Sequence, residues 1–369
     1  MTPQVTVIIP SYNRRETLER VLAAYNRQRP ATLRFEIIVV DDGSSDGTEA
    51  FLKEWRSERY AFRFESQENA GPAAARNRGM ALAQGDLVMF TGDDIEPTPD
   101  LLNEHVQAHE QRSQQNGTAI ILGLTRWAPG GTLTATMRHI DGVGAQQFSY
   151  QYLKDGAEYD FRHFYTSNVT LRRSLLEREA EGFSTDFRSA AFEDAELAYR
   201  LSQHGGRIIY HAAAEAYHHH PYGVAAFCRR QEKCGAMGAV LYRKHPQLEK
   251  WVGTHELGRL RLENLRRDVN GPIDDWERRA VQLAAFFDEI DPPPIDGILH
   301  ALFRYSYLKG LAAALHNETA ARRLRTGAFL DLVPDAVAGF QRGMAHLGLA
   351  YPAADATALA ALASPEKAL

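Results

Sequence analysis

Cysteine is nearly absent from this sequence of 369 residues: only Cys228 and Cys234 occur, with five residues between them in a stretch of helical texture. That pair fits neither a disulfide framework nor a Cys-x-x-Cys zinc or redox site, so a reducing, cytoplasmic setting is expected. No run of about 18 apolar residues is present, so no membrane-spanning helix is expected. The first residues, MTPQVTVIIPSYNRRE, carry no basic leader and only a short strand-like run, so they do not read as a signal peptide. Positive charge is not in excess either: 42 Lys and Arg against 47 Asp and Glu give a net charge of -5 at pH 7. No global field for nucleic acid or anionic lipid follows from that balance. Glycine-rich phosphate loops are missing as well. No G-x-G-x-x-G follows the first apolar run and no G-x-x-x-x-G-K-[ST] occurs anywhere, which excludes a dinucleotide site of Rossmann type and a P-loop.

What is present divides the chain by texture. With 44% hydrophobic and 24% charged residues it can bury a sizeable core, and its length suggests about two domains. Over residues 1–222, short apolar runs alternate with helical segments, the pattern of an α/β domain with a mostly parallel sheet. VTVIIP (5–10), FEIIVVDD (35–42) and DLVMF (86–90) are continuous and apolar, as expected for strands covered on both faces. Leu18, Val21, Leu22 and Tyr25 form one helix face, and Asp46 can cap a next helix with Phe51, Leu52 and Trp55 inward. Residues 223–369 turn to Ala, Leu and Arg at helical spacing, broken by Gly271-Pro272 and Pro292-Pro293-Pro294 and ending in an alanine-rich tail. That region is expected to be mainly helical.

Each of the three strands ends in a polar cluster: Pro10-Ser11-Tyr12-Asn13, Asp41-Asp42-Gly43-Ser44 and Gly92-Asp93-Asp94. In a parallel α/β sheet, ligands bind outside the carboxyl ends of the strands, so the clusters are expected to share one rim. Turns and helix caps account for any one of them. Together they hold four carboxylates, whose mutual repulsion calls for a cation or a donor-rich ligand. A nucleoside diphosphate with a divalent metal meets that need, since hard oxygen ligands bind the metal and the metal bridges phosphates.

The run of P-S-Y-N (10–13), V-V-D-D-G-S-S-D-G-T (39–48), N-A-G-P-A-A-A-R-N-R-G (69–79), A-Q-G-D-L-V-M-F-T-G-D-D (83–94), S-N-V-T-L-R-R (167–173) and F-E-D-A-E-L-A-Y-R-L (192–201) resembles family 2 of the glycosyltransferases. The match covers about residues 4–222. The resemblance implies a GT-A fold, a Rossmann-like sheet flanked by helices, and an inverting enzyme. Such an enzyme moves a sugar from a nucleotide diphosphate donor to an acceptor hydroxyl in one displacement, as in polysaccharide, glycolipid or glycoconjugate synthesis.

Carried over by motif, Asp42 with Asp41 would contact base and ribose, Pro10 and Tyr12 would line the nucleotide pocket, and Arg76 would reach the nucleotide from a helix begun by Pro72. Asp93 and Asp94 correspond to the family's D-x-D metal motif, with Thr91 where many members have the first Asp. The implied cofactor is Mn2+ or Mg2+, held by Asp94 and Asp93; Asp93 could instead reach the ribose. Asp194 takes the place of the general base, and Glu193 would position it or the acceptor. A His often completes the metal shell after the Glu-Asp helix, and His218 is the best match. A loop histidine run without a ligand role is the alternative, while His211 reads as structural. Asn168 matches a substrate-binding loop. Trp127 is either a sugar-stacking residue or part of the core.

Arg229-Arg230, Arg243-Lys244, Arg259-Leu260-Arg261 and Arg266-Arg267 form basic spots on helical segments. A solvated face is the plain reading, and docking of a partner or a lipid-linked acceptor at the inner face of the membrane is the other. No Q-x-x-R-W motif occurs, which favours transfer of one sugar or a few over polymerisation. Two rival classes fit less well. A sugar-phosphate nucleotidyltransferase would carry a Gly- and Arg-rich loop after the first strand, and a noncatalytic nucleotide-sugar or glycan-binding module would not need the base.

Overall fold

The computed structural model describes residues 2–112, 117–144, 146–257, 281, 284–285 and 296–325. Contacts divide the chain into two compact units, Met1–Gly131 with Tyr150–His220, and Thr132–Ser149 with Pro221–Leu369.

In the first unit the apolar runs form strands because each is covered on both faces. Strands β1 (Val5–Ser11), β2 (Phe35–Asp41) and β4 (Leu87–Thr91) are buried almost throughout. They pair in parallel, with Val5 opposite both Phe35 and Leu87. Helix α1 (Arg15–Tyr25) buries Leu18, Val21, Leu22 and Tyr25 in the core cluster beneath them. Each such side chain contributes on the order of 1.5–3 kcal/mol by leaving water. Helix α2 (Thr48–Glu54) has Gly47 and not the expected Asp46 as its N-cap; Asp46, one residue upstream, accepts from the Thr48 amide (3.1 Å) and hydroxyl (2.6 Å) and so still supports the first turn. Strand β3 (Ala61–Ser66) forms the outer edge beside β2, and α3 (Pro72–Leu82) starts on Pro72 as expected.

The remaining strands and α-helices described in this unit are β5 (Ile95–Pro97), α4 (Leu101–Gln111), β6 (Ala119–Trp127), β7 (Glu158–Tyr159), β8 (Asn168–Arg172), α6 (Arg173–Leu176), α7 (Glu193–Gln203) and β9 (Arg207–His218). They complete a nine-stranded sheet of order β3-β2-β1-β4-β8-β6-β9-β5, with β7 on β9. The expectation of a mostly parallel sheet is corrected here. Beyond β4, the pairs β4–β8, β6–β8, β5–β9 and β7–β9 are antiparallel, and only β6–β9 is parallel. The parallel half is fed by helical crossovers; β5, β7 and β8 are short strands laid down without them.

The second unit contains α5 (Ala135–Asp141), α8 (Val224–Lys244), α9 (Glu249–Val252), α10 (Asp296–Ala314) and α11 (Glu318–Arg325); the last four give the mainly helical texture expected of residues 223–369, whereas α5 falls within the 1–222 span expected to form the α/β domain. Cys228 and Cys234 are free and buried on α8. Helices α8 and α10 meet through glycine: a Cβ on Gly235 would lie 1.9 Å from the Tyr307 carbonyl oxygen, and one on Gly310 equally close to that of Glu232. Phe227 and Phe303 pack edge to face beside this contact, centroids 4.6 Å apart. Because the obstacle is backbone, Gly235→Ala must part the helices. It is expected to cost about 1–3 kcal/mol, read as a lowered urea midpoint followed by circular dichroism. The breaks at 271–272 and 292–294, the basic spots at 259–261 and 266–267 and the alanine-rich tail lie outside the described residues.

Candidate active site

The order of the parallel half reverses at β1, which sends successive crossovers to opposite sides and makes the carboxyl ends of β1 and β4 the switch point where a ligand is expected. The three polar clusters do share this rim. Ser11 Oγ donates to Asp93 Oδ2 (2.8 Å), tying the first to the third. The Asn13 amide donates to Ser44 Oγ (2.8 Å) and the Ser45 amide to Asn13 Oδ1 (2.7 Å), tying the first to the second.

At the third cluster two adjacent carboxylates take different surroundings. Burial, then the charge of Asp94, pushes the Asp93 carboxyl up despite Arg14, Ser11 and the Tyr12 amide. Asp94 is held well below the usual range: burial opposes its ionisation, but His218, Arg14 and His220 together outweigh it. Arg14 Nη1 is hydrogen-bonded to Asp94 Oδ2 and lies 3.9 Å from Asp93 Oδ1. Thr91 is fully buried in β4 and donates to the Ser167 carbonyl (2.9 Å), so it stands apart from this group.

His218 reaches Asp94 by strand pairing. Strand β9 sets His218 opposite Ile95 on β5 and Trp127 on β6. Its Nε2 is 3.5 Å from Asp94 Oδ2, and its ring stacks on Trp127 at 5.0 Å and 13°. Trp127 thus backs the histidine. His211 pairs with Glu104 (2.9 Å), a structural role as expected.

Metal ligation is testable against this donor set. Among the described residues no three His, Cys, Asp or Glu side chains converge on one point, so the expected trio of Asp93, Asp94 and His218 is not assembled. Asp93 is turned onto Ser11 instead. Asp94 Oδ2 and His218 Nε2, however, stand at a spacing that two ligands of one ion adopt. A two-ligand site suits Mg2+ or Mn2+, whose remaining positions go to water and phosphate oxygens.

Asp41 and Asp42 face inward. Asp41 Oδ1 accepts from the Ser44 amide (3.2 Å). Asp42 takes the Gln67 side-chain amide (2.7 Å) and the Ala70 and Gly71 backbone amides (2.9 Å each), fixing the loop that leads into α3. Pro10 is partly buried at the end of β1, whereas Tyr12 is 49% exposed at the rim.

Helix α7 opens on the expected acidic pair. Phe192, just before it, has φ 67°, a left-handed conformation that costs a non-glycine residue on the order of 1–3 kcal/mol. Arg76 is buried, lies over the Phe183 ring at 5.4 Å and donates to Glu193 Oε1 (2.9 Å). The ion pair ties the start of α7 to the middle of α3. Glu193 Oε2 is buried without a hydrogen-bond partner, and so is Arg76 Nε. Arg76 is therefore committed to Glu193 here, where the motif had pointed it at nucleotide. Asp194, partly exposed, accepts from the Ala195 amide (2.7 Å). Enclosure by protein, then the charge of Glu193, pushes its carboxyl up to about 7.

Asn168 does not join this cluster. Its side chain is fully buried, with Nδ2 donating to the carbonyls of Leu124 (3.0 Å) and Ala214 (2.8 Å) and Oδ1 on His105 Nε2 (2.8 Å). Those carbonyls flank the point where β6 and β9 slip register, from Gly123 opposite His211 to Leu124 opposite Glu215. Asn168 fills this bulge, just upstream of the strand ends that deliver Trp127 and His218. Burial keeps His105 and His109 neutral, pushed down to about 4 and about 3. Sequence reasoning assigns no role to Arg14 and takes Ser11 only as a member of the first polar cluster. Their only signal was a hydroxyl and a cation beside the first strand's end.

Residues 6–179 match the sequence profile described as glycosyl transferase family 2. The chain is 28% identical over 310 residues to a validoxylamine A glucosyltransferase of Streptomyces hygroscopicus subsp. jinggangensis, covering 75% of this chain and 69% of that protein. It is 36% identical over 107 residues to the uncharacterized glycosyltransferase YfnE of Bacillus subtilis, covering 29% of this chain and only 27% of that one. Among solved structures, the mannosyltransferase PcManGT from Pyrobaculum calidifontis, in complex with GDP-Man and Mn2+, is 22% identical, with a TM-score of 0.50 over all of this chain and 88% of that one. That likeness concerns the fold; the motif order and the profile agree that residues 6–179 of this chain match glycosyltransferase family 2.

Proposed function

We propose that this protein transfers a glycosyl group, with inversion, from a nucleoside diphosphate sugar to an acceptor hydroxyl in polysaccharide, glycolipid or glycoconjugate synthesis. The observation that carries the proposal is the cluster of Asp93, Asp94, Arg14 and His218 at the sheet's switch point. The similarity to a glucosyltransferase supports the same reading.

Asp194 serves as general base. Its carboxylate takes the acceptor's proton while the acceptor oxygen attacks the anomeric carbon; the bond from that carbon to the diphosphate breaks, and the nucleoside diphosphate leaves with the electron pair. A pKa of about 7 suits a base that must be ionised yet strong enough to accept a proton near neutrality. Glu193 positions Asp194 through its buried ion pair with Arg76. Asp94 and His218 would hold the divalent cation, Mn2+ or Mg2+, with Asp93 beside them toward the ribose or a bound water. When bound, the ion supplies positive charge to the leaving diphosphate. Tyr12 and Pro10 would line the nucleotide pocket, and Asp41 and Asp42 shape its wall through the 67–71 loop. The C-terminal helical region, with Arg229, Arg230, Arg243 and Lys244 on α8, is assigned to acceptor or partner binding.

The test is a panel of UDP, GDP, dTDP and CDP sugars with Mn2+, read by thermal shift and by release of nucleoside diphosphate. At least one donor should raise the melting temperature and be turned over. A chain that binds a donor yet never turns it over with any acceptor would be a binding module. Pyrophosphate release from a nucleoside triphosphate and a sugar phosphate would instead identify a nucleotidyltransferase.

A further inference from the structure

We propose that Arg14 is the resident cation of the Asp93–Asp94 site, so that a divalent metal binds only by displacing its guanidinium. The inference rests on the assignment of Asp94 and His218 to the metal and concerns what that metal must overcome.

Two adjacent, largely buried carboxylates are unstable without a positive partner. Arg14 supplies one: its Nη1 bonds Asp94 Oδ2, the same oxygen that lies 3.5 Å from His218 Nε2, and stands 3.9 Å from Asp93 Oδ1. That oxygen is the one an ion shared with His218 would need. A guanidinium and a dication on a single carboxylate oxygen repel each other, so one excludes the other.

The arrangement is built by the fold. Asn13, one residue earlier, holds φ 53°, a left-handed turn that Asn tolerates better than most residues. Its own amide and side chain are pinned by Ser44 and Ser45. On the other side, the Arg14 carbonyl accepts from the Leu18 amide (3.0 Å) and the Thr17 hydroxyl (3.0 Å) at the start of α1. The backbone is thus fixed on both sides, so any displacement of the guanidinium must come from rotation within the long side chain. That side chain is 34% exposed against 13% for Asp94, so the guanidinium has a route to water while the carboxylate stays in place. Exchange of one cation for another at a fixed carboxylate follows.

The experiment is Mn2+ titration of the full chain without donor, followed by electron paramagnetic resonance, for the native protein and for Arg14→Gln, Arg14→Lys and Asp94→Asn. Arg14→Gln is expected to tighten Mn2+ about tenfold, the equivalent of one charged hydrogen bond no longer lost on binding. Arg14→Lys, which keeps the charge but not the forked contact, should fall in between. A crystal structure with Mn2+ should show Arg14 withdrawn from Asp94. Equal Mn2+ affinity in the native protein and Arg14→Gln, with binding still lost in Asp94→Asn, would overturn the role of Arg14 and leave the metal site standing. Absence of Mn2+ binding in every form would overturn both. Should Arg14→Gln fail to fold, judged by its melting curve, Arg14→Lys carries the comparison, and no tightening there sinks the proposal.

Discussion

Asp194→Asn is expected to lower turnover by roughly a hundredfold to ten-thousandfold, the range that a positioned general base contributes. The amide keeps an oxygen for the Ala195 N–H and the same shape at the start of α7, but it cannot take a proton. Donor affinity, measured by titration of the nucleoside diphosphate sugar with Mn2+, should stay within a few-fold of native. The pH profile gives an independent check. Because enclosure and the neighbouring Glu193 raise the Asp194 carboxyl to about 7, the reactive carboxylate is the minority form below that pH. The native rate should therefore rise about tenfold per pH unit on the acid side and level off above 7, since the group must be deprotonated to act. The residual rate of Asp194→Asn should lack that limb. A variant that loses donor affinity in step with turnover would make Asp194 part of the donor site instead.

The helix start at Glu193-Asp194 was legible in the sequence because its signal is local: an acidic pair just before apolar residues at helical spacing. The parallel half of the sheet was legible for the same reason, since buried strands read as continuous apolar runs bounded by turn residues. What escaped was set by contacts between distant segments. Asn168 looks like a loop polar residue until its partners, Leu124 and Ala214, are known to flank a register slip between β6 and β9. No periodicity in the chain announces that slip, yet it aligns Trp127 with His218. Arg76 shows the same limit. A helix position and a motif place it near the start of α3, but its actual partner, Glu193, lies 117 residues later. Sequence spacing located the elements that carry the site. It did not tell which side chains spend their hydrogen bonds on one another.

Asp94→Asn tests the metal assignment most severely. Replacing an outer-shell partner of a metal ligand commonly costs 10–100-fold in affinity, so loss of a direct ligand in a two-ligand site should cost more than about a hundredfold. The substitution is nearly isosteric, but it removes the carboxylate that pairs with Arg14 and His218, so the melting temperature without metal should fall, and binding is to be compared well below it. What should vanish is the gain that Mn2+ gives to donor binding: native protein binds donor more tightly with Mn2+ than with chelator, whereas Asp94→Asn should bind equally weakly in both. His218→Ala is expected to follow the same pattern less fully, since a carboxylate carries charge to the ion and a neutral imidazole does not. Asp93→Asn should keep most of the Mn2+ effect, because Asp93 is turned onto Ser11 and away from the Asp94–His218 pair. If Asp93→Asn instead loses the Mn2+ effect as fully as Asp94→Asn, the ion sits on the dicarboxylate and not between Asp94 and His218.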